Sequence, residues 1–396
     1  MTTRTVTKTR TTSRIVATAL VTGMAALGLA IPAAGATKPG QDTLQAQVNA
    51  VQKTGTVGVI AQSTGPRGHH YATAGVADTA TGEPAQAGDR FRIASTTKSF
   101  VATVALQLVG EGRLSLDDTV EHWLPGVVTG NGNDGSKITV RRLLQHTSGL
   151  FNYTADLPEL RSVAGFQAGR FTTRTASQLA AIAMRHAPDF APGTKWEYSN
   201  TNYILAGMII DKVTGHTWQQ EVIRRIVRPL GLRDTLAPHT YPYIPGPHLK
   251  GYSNFGGSGP TIDVTDFNPA AAGAAGAMIS TTADLTRFYS ALLGGRLLRP
   301  AQLAEMKTTV RAAALDPVWP GASYGLGLMR IPLSCGGAYY SHAGDLPGYT
   351  TRDGVSADGR RVVVVEATGD GSGPDLATMK SQNALIDQQL CAAGRK

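Results

Sequence analysis

The chain has 396 residues, of which 42% are hydrophobic, so it is long enough to bury a substantial core. Only 16% of the residues are charged and 46 are Gly, a composition that excludes a long coiled coil and an acidic disordered protein. The 37 basic and 28 acidic residues give a net charge of +9, but no Lys/Arg cluster is present, so a nucleic-acid-binding protein is not indicated.

The N-terminus has the pattern of a secretory signal peptide. Basic residues without any acid occupy positions 1–14, an apolar stretch spans 15–31, and Ala34-Gly-Ala36 follows. This order predicts a signal peptide, residues 1–36, that is cleaved after Ala36. A transmembrane anchor is the alternative, which the short stretch and its interruption by Thr18 and Thr22 disfavour. We therefore expect a secreted, extracellular protein that has no membrane association after cleavage.

The first half of the chain combines strand patterns with one clear helix. After a polar leader, residues 56–62 and 71–77 predict short strands between Gly-rich turns. From Thr96 onward, apolar residues recur at spacings of three and four, which predicts an amphipathic helix that ends near Gly110. A mostly helical middle follows, with helices predicted over 140–145, 177–186, 202–213 and 218–227.

The second half returns to strands. Residues 254–277 are rich in Gly and Ala and are interpreted as a connection, and a capping-box pattern over 280–284 predicts a helix through Leu293. Asp358-Gly359 predicts a tight hairpin. Strands are predicted over 324–329, 338–342 and 362–367, and a last helix over 375–392.

This order of elements predicts an α/β sandwich, in which helices flank an antiparallel sheet, with an inserted all-helical domain. The α/β domain is expected to comprise residues 37–110 and 275–396, and the helical domain residues 111–274. A functional site is expected at the seam between the two.

Cysteine usage agrees with secretion. The chain has two cysteines, Cys335 and Cys391. In an oxidising compartment a lone pair of cysteines is most simply a disulfide, and two free buried thiols are the alternative. No His lies near either Cys at ligand spacing, and no nucleotide-binding motif is present, so neither a metal nor a cofactor is predicted.

Three short motifs carry groups suited to acyl transfer. Ser95 lies at a predicted strand-to-helix junction, and Lys98 follows one turn later, where its amine can approach the Ser hydroxyl. Tyr198 and Asn200 lie in a loop before a predicted helix, from which both side chains can point into a cleft. His342 ends a predicted strand. Each motif alone is a weak indication of function, and the evidence comes from the order and spacing of all three.

Taken together, these motifs resemble the penicillin-recognising serine hydrolases, which include class C β-lactamases, D-alanyl-D-alanine carboxypeptidases, esterases and D-aminopeptidases. Within this superfamily the sequence is most similar to the secreted, soluble D-alanyl-D-alanine carboxypeptidase/transpeptidase. The resemblance extends over nearly the whole mature chain and includes the stretches Phe91–Phe100, Leu144–Leu150, Tyr198–Tyr203 and Tyr324–Leu328.

The resemblance implies an acyl-enzyme mechanism with Ser95 as nucleophile. Either Lys98 or Tyr198 takes the Ser proton, and the sequence leaves this choice open because the two groups titrate together. Asn200 is implied to bind the substrate amide and support Lys98, and His342 to relay a proton to the leaving group. The backbone N–H groups of Ser95 and Asp345 are implied to form the oxyanion hole. Further substrate-binding positions implied by the resemblance are Ala343, Gly344, Asp345 and Arg352.

Two positions depart from the carboxypeptidase pattern. Asp345 stands where a hydroxyl residue is typical, and Met329 stands where an Arg holds the substrate carboxylate. Arg330 is next to it, but neighbouring strand residues face opposite sides. Asp345 is expected to repel a carboxylate, and Arg352 is a possible source of a compensating charge.

The leading interpretation is therefore a monomeric D-alanyl-D-alanine carboxypeptidase that acts on peptidoglycan stem peptides and is acylated by β-lactams. The alternatives are a class C-like β-lactamase, an esterase or a D-aminopeptidase of the same fold. A non-catalytic penicillin-binding or cell-wall-binding protein is disfavoured, because the full set of Ser95, Lys98, Tyr198 and His342 is present.

Overall fold

A computed structural model describes residues 39–66, 68–257, 259–370 and 376–392. The predicted signal peptide, residues 1–36, lies outside the described residues. Among the helices of the described residues, none is both long and apolar enough to cross a membrane.

Within the described residues, the strands build one large antiparallel sheet and three two-stranded sheets. In chain order they are β1 (Gly58–Gly65), β2 (Gly68–Asp78), β3 (Glu83–Pro84), β4 (Phe91–Arg92), β5 (Thr129–Gly130), β6 (Asn133–Asp134), β7 (Tyr252–Ser253), β8 (Ile262–Asp263), β9 (Ile279–Ser280), β10 (Val310–Arg311), β11 (Ser323–Tyr324), β12 (Met329–Pro332), β13 (Ala338–Ser341), β14 (Gly344–Leu346), β15 (Tyr349–Val355) and β16 (Val362–Thr368).

Helices occur at both ends and in the middle of the part of the chain that the structure describes. They are α1 (Pro39–Gln52), α2 (Thr97–Gly110), α3 (Val120–Trp123), α4 (Val140–Leu144), α5 (Val163–Gly169), α6 (Ala176–Ala183), α7 (Asn200–Thr214), α8 (Trp218–Val222), α9 (Arg228–Leu230), α10 (Gly273–Gly276), α11 (Thr282–Leu293), α12 (Pro300–Lys307) and α13 (Ala377–Ala392). A π-helical segment, Ile223–Val227, joins α8 to α9, where the sequence predicts one continuous helix.

The ten-stranded sheet pairs the first strands of the described chain with the last ones. Its order is β10-β11-β12-β13-β15-β16-β1-β2-β3, with β14 paired to β15 outside this path. Strand β1 pairs with β16 from Gly58 opposite Thr368 to Thr64 opposite Val362. The predicted antiparallel α/β fold with flanking helices is confirmed, whereas the predicted domain boundaries stay a prediction.

Helices cover both faces of the central strands, which is why every residue of β15 and β16 is buried. Val363 and Val365 belong to the cluster that α1 and α13 cover. Their neighbours Val362 and Val364 face the opposite cluster, which includes residues of α2 and α11. Alternating side chains of one strand therefore serve two cores.

The helix α1 was not predicted from the sequence, which indicated only a polar leader. Leu44, Val48 and Val51 recur at spacings of four and three, and all three are fully buried. This short apolar stripe is the signal that identifies the helix.

Helix α2 is buried on nearly all sides, although the sequence predicts an amphipathic helix. Two of its hydroxyl residues are buried and donate to backbone carbonyl oxygens. The Ser99 hydroxyl donates to the Gly327 carbonyl oxygen at 2.8 Å, and the Thr103 hydroxyl donates to the Ser99 carbonyl oxygen at 2.7 Å. These two hydroxyl groups are therefore buried with their hydrogen bonds satisfied.

The sequence predicts one continuous strand over 324–329, and this prediction is wrong, because the structure has two separate strands there, β11 and β12. A turn separates β11 from β12, closed by the Gly325 N–H donating to the Leu328 carbonyl oxygen at 2.7 Å. Gly327 has a φ of 72°, and a Cβ there would lie 2.5 Å from the Ala102 Cβ. The turn therefore packs directly on α2, a tertiary contact that local strand propensity does not reveal.

The structure contains a Cys335–Cys391 disulfide, as the cysteine count predicts. Cys335 lies in the β12–β13 loop and Cys391 near the end of α13. The bond therefore ties the last helix to the large sheet.

Candidate active site

Ser95 lies on a tight turn between β4 and α2. Ala94–Thr96 form a single turn of 3-10 helix that leads directly into α2. Ala94 has a φ of 47°, a left-handed conformation that residues with a side chain adopt rarely. Backbone strain of this kind concentrates at functional sites, where surrounding structure enforces it.

The Ser95 turn is fastened to the edge formed by β13 and β14. The Thr96 hydroxyl donates to the His342 carbonyl oxygen at 2.9 Å. A Cβ at Gly344 would lie 2.2 Å from the Ile93 carbonyl oxygen, so only Gly allows β14 to approach this closely. This packing brings the backbone after His342 next to the predicted nucleophile.

Lys98 is fully buried one helical turn after Ser95. Its Nζ lies 3.0 Å from Ser95 Oγ, 2.8 Å from Asn200 Oδ1 and 2.7 Å from the Ala275 carbonyl oxygen. Burial lowers the pKa of Lys98 well below its ordinary value, which favours the neutral amine. A neutral amine that donates to Asn200 and Ala275 directs its lone pair toward Ser95. Lys98 can therefore accept the Ser95 proton.

The Tyr198 hydroxyl is buried beside the same serine. Burial raises the pKa of Tyr198, proximity of the Ser95 hydroxyl opposes this rise, and the Asp345 charge adds to it. The Tyr198 hydroxyl has no partner with full hydrogen-bond geometry within the described residues. Because burial disfavours the phenolate, Lys98 is better suited than Tyr198 to accept the Ser95 proton, a choice that the sequence leaves open.

Asn200 is the first residue of helix α7, and both the oxygen and the nitrogen of its side-chain amide have hydrogen-bond partners. Its Oδ1 faces Lys98, and its Nδ2 lies 3.3 Å from Asn152 Oδ1. The Asn200 backbone N–H donates to the same Asn152 oxygen at 3.1 Å. Asn200 therefore holds Lys98 in place, as predicted, with Asn152 fixing its orientation.

His342 is buried, and both of its ring nitrogens are occupied. Nε2 lies 2.7 Å from the Tyr324 hydroxyl, and Nδ1 lies 2.8 Å from the Ala343 carbonyl oxygen. Burial lowers the pKa of His342 to about 3. His342 therefore has no free ring nitrogen for the predicted relay of a proton to the leaving group. Its contacts instead stabilise the edge formed by β13 and β14.

Arg352 is not the free carboxylate anchor that the sequence allows. Its side chain is only 1% exposed, and its Nη2 donates to Asp345 Oδ1 at 2.8 Å. Nη1 donates to the carbonyl oxygens of Thr351 and Gly344. Arg352 thus holds Asp345, whose side chain remains 46% exposed. Within the described residues no hydrogen bond reaches Asp345 Oδ2.

Met329 and Arg330 face opposite sides of the sheet, as the sequence predicts for neighbouring residues of a strand. Met329 is buried and lies opposite Ser341, whereas Arg330 is exposed. Arg330 therefore does not take the place of the carboxylate-binding arginine of carboxypeptidases, whose position is occupied by Met329.

A cavity of about 690 Å³ opens in front of Ser95 and Asn200. Among the described residues, three charged side chains line it: Asp345, Asp370 and Arg161. Asp370 Oδ2 accepts a hydrogen bond from the Ser253 hydroxyl at 2.9 Å. Arg161 donates to the Ala155 carbonyl oxygen at 3.1 Å and has no ion-pair partner in the described part of the chain. Apolar lining comes from Leu160, Phe255, Leu346, Pro347 and Met379.

Several members of the site were not identified from the sequence. Ala275 contributes a backbone carbonyl from a segment interpreted as a connection, and Asp370 follows the last strand. Asn152 carries one sequence signal, its position shortly after the Leu144–Leu150 stretch. Across the described ranges, no cluster of three or more His, Cys, Asp or Glu side chains is arranged to hold a metal ion.

Comparison with known proteins gives one family and consistent neighbours. Residues 42–388 match the protein-family model described as Beta-lactamase. The sequence is 31% identical over 301 residues to penicillin-binding protein 4 of Amycolatopsis lactamdurans, an alignment that covers 72% of this chain and 71% of that protein.

Two solved structures extend the comparison. A D-stereospecific amidohydrolase from Streptomyces sp. matches with a TM-score of 0.81 and 43% identity, over 89% of this chain and 99% of its own. A D-amino acid amidase from Ochrobactrum anthropi SV3 matches with a TM-score of 0.78 and 29% identity, over 90% of this chain and 99% of its own.

Proposed function

The chain belongs to the β-lactamase family of serine hydrolases, and we propose that it is a D-stereospecific amidohydrolase that acts through an acyl-enzyme on Ser95. The observation that carries this proposal is the buried Lys98 amine, 3.0 Å from Ser95 Oγ and held by Asn200 and Ala275. A desolvated amine in this position activates a serine hydroxyl at neutral pH.

The residues support a two-step reaction. Lys98 accepts the Ser95 proton while Ser95 Oγ attacks the substrate carbonyl carbon. The amide C–N bond then breaks, and the leaving amine takes a proton from Tyr198, which Lys98 replenishes. Water hydrolyses the resulting ester on Ser95 by the same groups in reverse order. The N–H groups of Ser95 and Asp345 are the proposed donors to the oxyanion.

The charges of the cavity support a substrate with an ammonium group. Asp345 presents its free Oδ2 at the wall of the cavity, and Asp370 lines the same cavity. The place where a carboxypeptidase holds the substrate carboxylate has Met329, and Arg352 is already paired with Asp345. We therefore propose amides and short peptides whose N-terminal D-residue is unblocked, in line with the names of the two structural neighbours.

The substrate class is tested by comparing kcat/KM for D-phenylalanine amide, its L-enantiomer and its N-acetyl derivative. We expect the D-amide to be hydrolysed fastest, and acetylation to reduce kcat/KM at least about tenfold because it removes the ammonium charge. Preference for the L-enantiomer, or indifference to acetylation, would contradict the proposed class.

A D-alanyl-D-alanine carboxypeptidase is the second candidate, and Arg161 is the observation that favours it. Arg161 is the cavity cation without an ion-pair partner within the described residues, so it is the available anchor for a substrate carboxylate. If this candidate holds, a diacetylated L-Lys-D-Ala-D-Ala peptide will be cleaved faster than D-phenylalanine amide. Arg161→Gln will then reduce peptide cleavage about tenfold without affecting a neutral ester.

We also propose that the protein acts outside the cytoplasm and is acylated by β-lactams. The predicted signal peptide and the match to a penicillin-binding protein support these two points. N-terminal sequencing of protein recovered from culture medium tests the first, with Thr37 expected as the first residue. A stable benzylpenicillin adduct in the intact mass tests the second.

A further inference from the structure

The stretch Leu144–Leu150 matches the family pattern, yet none of its side chains enters the reaction proposed above. Its central residue, His146, is fully buried and has a φ of 62°. A left-handed conformation is unfavourable for His, so the surrounding contacts must enforce it. These contacts lead directly to the loop that carries Tyr198.

The first set of contacts comes from polar atoms of His146. Its carbonyl oxygen accepts from the Glu197 N–H at 3.1 Å. Its Nδ1 accepts from the Ser199 N–H at 3.3 Å and lies 3.0 Å from Asn202 Nδ2. His146 therefore holds the backbone immediately before and after Tyr198, and the first turn of the helix that begins with Asn200.

The second set of contacts comes from the imidazole ring. Its centroid lies 4.3 Å from that of the Tyr198 ring, with 36° between the planes. The rings of Tyr203, Tyr324 and Trp196 surround it at 5.4, 4.9 and 6.2 Å. The Tyr198 ring therefore rests on a side chain that is itself enclosed, which fixes the direction of its hydroxyl.

The protonation state of His146 agrees with a positioning role. Nδ1 accepts two hydrogen bonds, so the proton of the neutral ring is on Nε2, which is buried without a partner among the described residues. Burial lowers the pKa of His146 well below its ordinary value. With Nδ1 occupied by two donors, the neutral ring has no free nitrogen that could accept a proton.

We propose that His146 is a positioning residue that sets Tyr198 and Asn200 against Ser95 and Lys98. It acts on catalysis through these side chains and does not contact the substrate. The inference rests on the proposed acyl-enzyme chemistry but not on the proposed D-amino acid specificity.

Two substitutions separate the two sets of contacts. His146→Asn keeps an acceptor near the Nδ1 position and removes the ring that supports Tyr198. His146→Phe keeps a ring and removes the acceptor for Ser199 and Asn202. Each is made in the wild-type and the Tyr198→Phe backgrounds, and active sites are counted by fluorophosphonate labelling so that misfolded protein does not enter kcat.

We expect His146→Asn to reduce kcat for an amide substrate about tenfold, with a smaller change in KM, because a misplaced Tyr198 delivers the leaving-group proton poorly. Hydrolysis of p-nitrophenyl acetate should change much less, since its leaving group needs no proton. In the Tyr198→Phe background the same substitution should have little further effect on the amide reaction.

Equal fold losses in both backgrounds, or equal losses on amide and ester, would overturn the proposal and make His146 a purely structural residue. If His146→Asn does not fold, His146→Phe in the same cycle, with Asn200→Ala as second background, decides the question. If the wild type cleaves no D-amino acid amide, the substrate proposal fails separately. The cycle is then run on whichever peptide or lactam amide the enzyme cleaves.

Discussion

The two walls of the cavity differ in how their polar groups are satisfied. On the catalytic wall, formed by Ser95, Lys98 and Asn200, the Lys98 amine has three partners within 3.0 Å and is buried. On the charged wall, formed by Asp345, Asp370 and Arg161, no hydrogen bond from the described residues reaches Asp345 Oδ2, and Arg161 has no ion-pair partner among them. The proposed catalytic groups are thus in contact before a substrate binds, whereas the proposed selectivity depends on charges that only a substrate completes.

The strongest test of this contrast is Lys98→Met, which keeps the length of the side chain and removes the base. We expect kcat for amide hydrolysis to fall about a thousandfold, because general-base catalysis by a positioned group contributes that order of rate. Lys212→Met, on the exposed side of α7, is the matched control and should leave kcat unchanged. Activity of the Lys98 variant close to that of the control would assign the base elsewhere.

The charged wall is tested by Asp345→Asn. The amide oxygen still accepts from Arg352, but the negative charge is lost. We expect kcat/KM for D-phenylalanine amide to fall about tenfold and kcat/KM for a neutral ester to change little, since a partly exposed charge pair is worth on the order of 1 kcal/mol. Asp358→Asn, in the turn between β15 and β16, is the control of equal charge change.

An increase in cleavage of a carboxylate-terminated D-Ala-D-Ala peptide by Asp345→Asn would sharpen the contrast, because it would show that Asp345 selects against carboxylates. A decrease for that peptide would instead mean that Asp345 helps to bind it.

The same contrast explains what the sequence predicts. The spacing of Ser95 and Lys98 is local, since one helical turn brings them together. The partners Asn200 and Ala275 come from distant elements, and only the first carries a recognisable motif. Arg352 lies on β15 and Asp345 on β14. Their pairing depends on the face of the sheet to which each side chain points and on how β14 pairs with β15. That geometry is tertiary, which is why the sequence leaves Arg352 as a possible substrate anchor.

Beneath the walls, Asp353 links the sheet to the site and gives a pH-dependent prediction. Its Oδ1 accepts from the His342 N–H at 2.9 Å, and burial raises the pKa of Asp353 to about 7. Between the unfolded value of 3.8 and about 7, the folded protein holds a proton that the unfolded chain lacks. The stability that this group contributes is therefore present at low pH and lost as pH rises through about 7.

Asp353→Asn should remove this dependence, because the amide keeps the acceptor for His342 and does not ionise. Thermal unfolding from about pH 5 to about pH 8 should show a smaller fall in Tm for the variant than for wild type. Other titratable and charged groups nearby, such as His342, Arg352 and Glu366, are present in both proteins, so their contribution to the pH dependence of Tm cancels in the comparison. Identical slopes would mean that Asp353 titrates normally.

The smallest effect on catalysis is expected from the disulfide, which lies apart from both walls. Replacing Cys335 and Cys391 by Ser should leave kcat/KM unchanged. It should lower the free energy of unfolding by about 4 kcal/mol in the chain-entropy treatment, since 56 residues separate the cysteines. Thiol titration of the unreduced, unfolded wild type should detect no free thiol. Two reactive thiols would show that the bond does not form.

The central claim is that Lys98 activates Ser95 before any substrate binds, and covalent labelling tests it most directly. Wild type, Ser95→Ala and Lys98→Met are incubated with a fluorophosphonate, and adducts are located by intact mass and peptide mapping. The account predicts one adduct on Ser95 in the wild type, none in Ser95→Ala, and labelling of Lys98→Met slowed about a hundredfold or more. Labelling that persists in Ser95→Ala, or proceeds at the wild-type rate in Lys98→Met, would contradict it.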